Sequence, residues 1–196
     1  MIDWIAMSDR ALLETSLDFA THRILEIGET PLSVPTPCSE WNLGQLLNHL
    51  VSSTALLADL VRGDEVDPRA LAPERTAAVP FEGHPVGAFA VAAGTTRRVF
   101  ASDEAWRRGV RMPGATMPAA LVAKLIAMDA VVHGWDIARA VGADDTIPDP
   151  LAEDIMSFAE TFVRPEVRGG ILGPEVRVGA KDTKTRQLVA FLGRRP

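Results

Sequence analysis

The sequence predicts an all-α fold, a four-helix bundle with short extra helices near the C-terminus. Three observations predict it: apolar residues recur at helical spacing over long stretches, cap or stop residues flank several of these stretches, and strand signals are weak. The chain has 196 residues and no tyrosine. We therefore expect a single domain over residues 1–196 in which helix packs on helix.

The four bundle helices are predicted at residues 8–28, 42–62, 84–101 and 118–141. Ser8 can cap the first helix, while Gly28, Gly63 and Gly142 stand where the first, second and fourth helices should end. Leucines recur along the first two helices, and the third consists largely of small residues. Small residues allow close helix approach, so this pattern fits a packed bundle.

The segments that connect the helices contain residues typical of turns and loops. Residues 29–40 and 64–84 are predicted loops, residues 107–118 a short hairpin, and residues 149–163 and 183–192 two further helices. The loops are proline-bearing, and the hairpin segment contains Pro-Gly. The residues between the last two helices are expected to be irregular.

Composition excludes several classes of partner. The net charge of -6 argues against a nucleic-acid surface, which would be basic. No apolar run approaches the ~20 residues of a membrane helix. The acidic N-terminus lacks the features of a signal peptide, and one cysteine allows no internal disulfide. We expect a soluble cytoplasmic protein with no nucleic-acid or membrane partner.

Charged residues interrupt the apolar stretch "AMDAVVHGWDIARAVG" of the fourth helix. Asp129, His133 and Asp136 fall within about a 60° arc of that helix. Buried charge is costly unless it is paired or holds a metal. Asp129 and His133 are also four residues apart, a spacing that lets two ligands hold one ion.

An inward-facing histidine is also predicted on the second helix. His49 shares its face with Leu46 and Ser53. Together with Asp129 and His133, it would supply two imidazoles and one carboxylate from facing helices. Such a set leaves open coordination positions, as in catalytic zinc and non-haem iron sites, and bundles commonly build metal sites this way.

Structural alternatives to a metal site remain open. Asp129 and His133 can form a hydrogen-bonded pair and nothing more. A lone buried histidine such as His49 is often a satisfied core residue. Asp136 can pair with Arg139 three residues later.

Three further residues have two interpretations each. Cys38 lies just before a helix start, where a thiolate is favoured, and it can equally be a small buried thiol that packs the loop. Trp41 and Trp135 are predicted core anchors, and either can wall a pocket.

Three segments carry a resemblance to a known family. "PTPCSEWNLGQLLNHL" and "MDAVVHGWDIARAVG" resemble the DinB-like metal-binding proteins of actinobacteria, of the type that forms the N-terminal, metal-binding domain of mycothiol-dependent maleylpyruvate isomerase. "QLVAFLGRRP" resembles the tail of a short single-domain subfamily of that group. The resemblance spans roughly residues 8 to 195.

The resemblance implies a DinB-like bundle with a divalent ion of zinc, nickel, iron or manganese at its core. It carries the ligands onto His49, Asp129 and His133. The middle ligand is a histidine or glutamate in much of the superfamily, so Asp129 is a departure and is one methylene shorter than glutamate. The isomerase also has a C-terminal domain for which this chain is too short, so maleylpyruvate isomerisation is not the expected reaction.

The resemblance also implies a reaction class. A metal-bound low-molecular-weight thiol, mycothiol in actinobacterial relatives, would attack an electrophilic substrate in an S-transferase or isomerase step. Asp136 and Trp135 are the candidate residues for binding the thiol cofactor or supporting the ligands. The alternative is a non-catalytic metal-binding module or a partner of a regulator. Either a monomer or a homodimer is compatible with the sequence.

Overall fold

The computed structural model describes residues 6–112, 115–164, 168 and 172–196. Its helices are α1 (Asp9–Leu25), α2 (Leu43–Arg62), α3 (Pro73–Ala78), α4 (Pro85–Phe100), α5 (Asp103–Arg107), α6 (Ala119–Val141), α7 (Asp149–Phe162) and α8 (Lys184–Phe191). A 3-10 turn spans Pro68–Leu71, and strands β1 (Gly109–Met112) and β2 (Ala115–Pro118) pair antiparallel. The all-α prediction is confirmed, and so is the short hairpin, although its tip at residues 113–114 lies outside the described residues. The same holds for residues 165–167 and 169–171 of the segment expected to be irregular.

The bundle consists of α1, α2, α4 and α6. Helix α6 packs against α1 and α2, and α4 closes the ring against the same two helices. The core between them is built from fully buried leucines, isoleucines and phenylalanines, among them Leu17, Leu46, Phe89 and Ile126. Leu25, at the end of α1, differs from the buried leucines of that helix and is 57% exposed.

A second hydrophobic cluster lies on the other side of α1 and α6. There α7 and α8 contribute Leu151, Ile155 and Leu188, which pack with Trp135 of α6. Helix α6 is therefore covered on two sides, which explains why its sequence is apolar nearly all round. Any buried charged group on α6 consequently needs a partner.

Close packing of α6 against α1 requires a glycine beside the polar residues of α6. A Cβ atom added to Gly134 would lie 2.9 Å from the ring of Phe19. Glycine at this position therefore sets how closely α1 approaches the segment that carries His133.

The predicted loop at residues 64–84 is wrong in part, because it contains the 3-10 turn and α3. Helix α5 was also missed. Helices α3 and α5 have six and five residues, too few to show a hydrophobic period, and α3 is held by packing against α2. Within the described residues, no helix is long and apolar enough to cross a membrane.

Candidate metal centre

The structure brings together the three side chains that helical spacing turned inward. His49 projects from α2, and Asp129 and His133 project from α6. The Nε2 atoms of both histidines lie 3.3 Å from Oδ1 of Asp129, and the two ring centroids are 5.0 Å apart. His49 and His133 are 8% and 6% exposed, so both imidazoles point into the protein.

The other nitrogen of each imidazole is already engaged. Nδ1 of His49 lies 2.6 Å from Oγ1 of Thr76, whose hydroxyl donates to the backbone carbonyl of Pro73 at 3.0 Å. Because that hydroxyl has only one proton, its oxygen accepts from the Nδ1–H of His49. Nδ1 of His133 lies 3.0 Å from the acceptor Oδ2 of Asp136. We therefore assign both rings the tautomer that leaves a lone pair on Nε2.

Three acceptor atoms consequently converge on one point. The hydroxyl of Ser53 donates to Oδ2 of Asp129 at 2.8 Å and leaves Oδ1 facing the two histidines. Two neutral Nε2 lone pairs and a carboxylate oxygen provide no proton between them, and such an arrangement is unfavourable unless a cation lies there. That cation can be a proton on one ring or a metal ion.

The pKa values of Asp129 and His133 indicate how the site is charged when a proton takes the place of a metal ion. Burial alone would raise the pKa of Asp129, but the facing imidazoles of His49 and His133 outweigh it and hold that pKa well below its ordinary value. Burial also works against a charged His133, yet the carboxylate of Asp129 and the hydrogen bond to Asp136 raise the pKa of His133 well above its ordinary value. Without a metal ion, both directions favour a charged imidazole of His133 facing the carboxylate of Asp129.

Asp136 finds its cation elsewhere than sequence spacing suggested. Arg139 pairs with Asp145 at 3.3 Å, so the pairing of Asp136 with Arg139 is wrong. Asp136 is fully buried and instead pairs with Arg194 of the C-terminal tail at 3.0 Å. Burial would raise the pKa of Asp136, but the guanidinium of Arg194 and the hydrogen bond from His133 lower it to about 2.

A second set of metal-ligand types surrounds Asp136. Sγ of Cys38 lies 3.2 Å from Oδ2 of Asp136 and 4.0 Å from Nδ1 of His133. However, Nη2 of Arg194 lies 3.3 Å from that sulfur and 3.0 Å from the same carboxylate oxygen. The guanidinium thus supplies the positive charge of this second set, which leaves the histidine–aspartate set as the candidate for a metal ion.

The two tryptophans of interest take opposite roles. The ring of Trp41 lies 4.7 Å from that of His49 and 6.1 Å from that of His133, centroid to centroid, so it walls the site. Trp135 is 1% exposed and lies in the cluster with α7 and α8. The structure therefore does not bring Trp135 to the histidines, and we correct its assignment as a cofactor-binding residue to that of a core anchor.

Sequence reasoning missed two residues that support the site, Thr76 and Arg194. Weak signals were present for both. Pro73 followed by helix-forming residues is typical of a helix start and would have placed Thr76 on a helix. Gly193 after an apolar stretch is typical of a helix end, where the chain turns back.

Two known proteins are similar in sequence to this chain over most of its length. The chain is 29% identical over 165 residues to the uncharacterized proteins Rv0738 and MT0763 of Mycobacterium tuberculosis, strains H37Rv and CDC 1551, and the match covers 83% of this chain and 85% of each relative.

Solved structures of similar fold are two crystal structures of mycothiol-dependent maleylpyruvate isomerase, one of them a histidine-to-alanine variant. They match with TM-scores of 0.59 and 0.61, 16% identity, and 74% coverage of this chain. The match spans 65% of the isomerase chain, less than two thirds, so it bears on the fold alone. The sequence profile of the mycothiol maleylpyruvate isomerase N-terminal domain matches residues 13–138, which include His49, Asp129 and His133. The chain therefore belongs to the mycothiol maleylpyruvate isomerase N-terminal domain family, with its DinB-like helical fold.

Proposed function

We propose that this protein holds a divalent metal ion through Nε2 of His49, Nε2 of His133 and the carboxylate of Asp129. The observation that carries the proposal is the convergence of three potential ligand atoms from two helices, with Nε2 of each histidine 3.3 Å from Oδ1 of Asp129. A protein that needed only a buried hydrogen-bonded pair would need one histidine there, and this chain supplies two.

The donor set fits a first-row divalent ion. Ligand atoms about 2.0–2.2 Å from an ion at tetrahedral angles lie about 3.3–3.6 Å from one another. The two Nε2–Oδ1 separations of 3.3 Å fall in this range. Zinc, nickel, iron and manganese all accept two imidazoles and a carboxylate. Asp129 sits on the same helix as His133, so its shorter side chain still reaches the shared point.

Supporting contacts make the site suitable for a bound ion. Metal-ligating histidines usually donate their other N–H to an oxygen acceptor, which fixes the ring and its tautomer. Thr76 accepts from His49 and Asp136 accepts from His133. Both rings are thus pre-oriented by the protein before any ion binds, which lowers the cost of binding.

One of the three candidate ligands is partly exposed to solvent. The side chain of Asp129 is 26% exposed, whereas the side chains of His49 and His133 are only 10% and 8% exposed. The site therefore opens towards solvent at Asp129, while Trp41 provides an apolar wall beside the two histidines. Three protein ligands leave further coordination positions free, as in catalytic sites.

We further propose a thiol-dependent reaction of S-transferase or isomerase type, with mycothiol as the thiol and a small electrophile as the second substrate. Family membership and the open face of the site support this assignment. A divalent ion here would supply Lewis acidity that favours the thiolate form of a bound thiol. The protein's own groups would orient the ligands, through Thr76 and Asp136, and exclude water on the Trp41 side.

Two measurements test the proposal. The first is elemental analysis of the purified protein beside His49→Ala and the matched control His84→Ala, since His84 is an exposed histidine outside the site. We expect about one equivalent of metal in the wild type and the control, and a large loss in His49→Ala. Equal metal contents in the wild type and His49→Ala would contradict the ligand assignment.

The second measurement is turnover of monobromobimane with mycothiol, with and without metal, against cysteine as a comparison thiol. Metal-dependent and mycothiol-selective turnover is expected for the enzyme. Stoichiometric metal without turnover would instead identify a non-catalytic metal-binding module.

A further inference from the structure

The C-terminal tail delivers a buried arginine to the side of His133 that faces away from the metal centre. Arg194 is 9% exposed. Its Nε and Nη2 donate to Oδ1 and Oδ2 of Asp136 at 3.4 and 3.0 Å, and its Nη1 donates to the carbonyl of Leu192 at 3.0 Å. A two-pronged contact of this kind fixes both the position and the plane of the carboxylate.

The backbone after α8 is shaped to place this side chain. Gly193 has a φ of +86°, and a Cβ there would lie 2.9 Å from the backbone of Gly173. The N–H of Arg194 then returns to the carbonyl of Val189 at 2.8 Å. This turn reverses the chain at the end of α8 and directs Arg194 inward, while the next residue, Arg195, is exposed.

We propose that Arg194 is a positioning residue for the metal centre and acts through Asp136 on the ring of His133; this inference rests on the proposed metal site. The chain of contacts is continuous: guanidinium to carboxylate at 3.0 Å, carboxylate to Nδ1 of His133 at 3.0 Å, and Nε2 of the same ring beside Asp129 at 3.3 Å. The tail thereby determines how accurately His133 presents its free lone pair.

Charge balance supports a role beyond packing. Asp136 is a fully buried carboxylate, and such a group needs a cation. With Arg194 in place, the charge of Asp136 is balanced by the tail, so His133 needs only to donate its Nδ1 proton. The match to the family profile ends at residue 138. Arg194 therefore lies in a part of the chain that the profile does not cover.

The test compares Arg194→Met, Arg194→Lys and Gly193→Ala with the control Arg195→Met, which removes an exposed arginine next to Arg194. Zinc and nickel affinity are measured by calorimetric titration, and metal-free folding by thermal unfolding. Loss of a group that supports a metal ligand typically costs about 10–100-fold in affinity. We expect a loss of that size for Arg194→Met and Gly193→Ala, a smaller loss for Arg194→Lys, and less than about a twofold change for Arg195→Met.

A spectroscopic measurement separates positioning from general stabilisation. The ligand-field spectrum of bound Co²⁺ should shift in Arg194→Met and return towards the wild-type spectrum in Arg194→Lys. If Arg194→Met fails to fold, the comparison of Arg194→Lys with Arg195→Met decides by affinity and spectrum. Absence of metal binding by the wild type would overturn the proposed function itself. Wild-type affinity and an unchanged Co²⁺ spectrum in Arg194→Lys and Arg194→Met, with metal bound, would overturn only the role of Arg194.

Discussion

One imidazole, that of His133, separates two polar regions of different character. On its Nδ1 side, Asp136, Arg194 and Cys38 form a group in which one carboxylate faces one guanidinium. On its Nε2 side, His49 and Asp129 provide a carboxylate and a second lone pair. The first region is charge-balanced by the protein alone. In the second, the described residues offer the carboxylate of Asp129 the hydroxyl of Ser53 and two imidazoles, but no guanidinium or ammonium group.

In a buried environment, a structural polar cluster differs from a ligand site in whether the protein itself supplies the counter-charge. Burying an uncompensated charge is costly, so a cluster that serves packing alone is expected to contain its own counter-charge. The Nδ1 region meets that condition, and the pKa of Asp136 is lowered to about 2 although burial opposes this. The Nε2 region meets it only when a proton or metal ion is added.

The largest expected effect comes from removing the residue that both regions share. His133→Ala should abolish stoichiometric metal binding while the protein stays largely helical, because apolar side chains supply most of the burial. Elemental analysis and circular dichroism measure the two effects. The control is His22→Ala, since the side chain of His22 is 68% exposed. Wild-type metal affinity in His133→Ala would show that the two regions are not linked through this ring.

Substitutions of Asp129 test whether the Nε2 region holds an ion directly. Asp129→Asn should weaken zinc and nickel binding sharply, because a neutral amide is a poorer ligand. Asp129→Glu and Asp129→His should retain binding, with altered metal preference. Retention of near-wild-type affinity by Asp129→Asn would exclude direct ligation. Even the loss of a group that only supports a ligand costs about 10–100-fold in affinity, and the loss of a ligand should cost at least as much.

A subtler change removes the support on the His49 side. Thr76→Val keeps the size of the side chain and leaves the Nδ1–H of His49 without its acceptor at 2.6 Å. We expect a loss of metal affinity of about tenfold or somewhat more, and a loss of about 1–3 kcal/mol in the free energy of unfolding for the unpaired donor. Thr96→Val is the matched control, because Thr96 is buried but its hydroxyl donates only to the backbone carbonyl of Ala92. Equal affinities for the two variants would show that Thr76 does not support the site.

The most gradual expected effect is a pH dependence of opposite sign for metal binding and for metal-free folding. Burial opposes charge on His133, but Asp129 raises its pKa well above 6.5. Below that raised pKa a proton competes with the metal, so affinity should rise with pH by at most about tenfold per unit and then level off. The metal-free protein gains stability from the same proton below pH 6.5 and should lose it as pH rises through the raised pKa.

The opposite signs can be measured by calorimetric titration and by thermal unfolding over the same pH series. Asp129→Asn removes the carboxylate that raises the pKa, and it should move both transitions to lower pH. A metal affinity that does not change with pH from 6 to 9 would contradict proton competition at this site.

Much of the fold could be read from local patterns. The bundle helices predicted at 42–62 and 118–141 are observed at Leu43–Arg62 and Ala119–Val141. Long amphipathic stretches with clear stop residues determine such helices, since the periodic signal accumulates over many turns. Helices α3 and α5 are too short for such a signal and form because neighbouring elements cover them.

The candidate site, like the fold, could be predicted only in part. Helical periodicity alone turned Asp129, His133 and Asp136 to one arc of α6 and His49 to the inner face of α2, because residues three and four apart share a face. Whether those faces meet is a question of packing, and the tertiary structure decided it.

The partners of these residues came from distant parts of the chain. Arg194 lies 58 residues from Asp136, and Thr76 lies 27 residues from His49. The sequence by itself determined which side chains face inward, because that depends on the geometry of one helix. Only the tertiary structure decided that the charge of Asp136 is balanced and that of Asp129 is not. That outcome depends on which distant groups the folded backbone brings within hydrogen-bonding distance, and no local pattern encodes it.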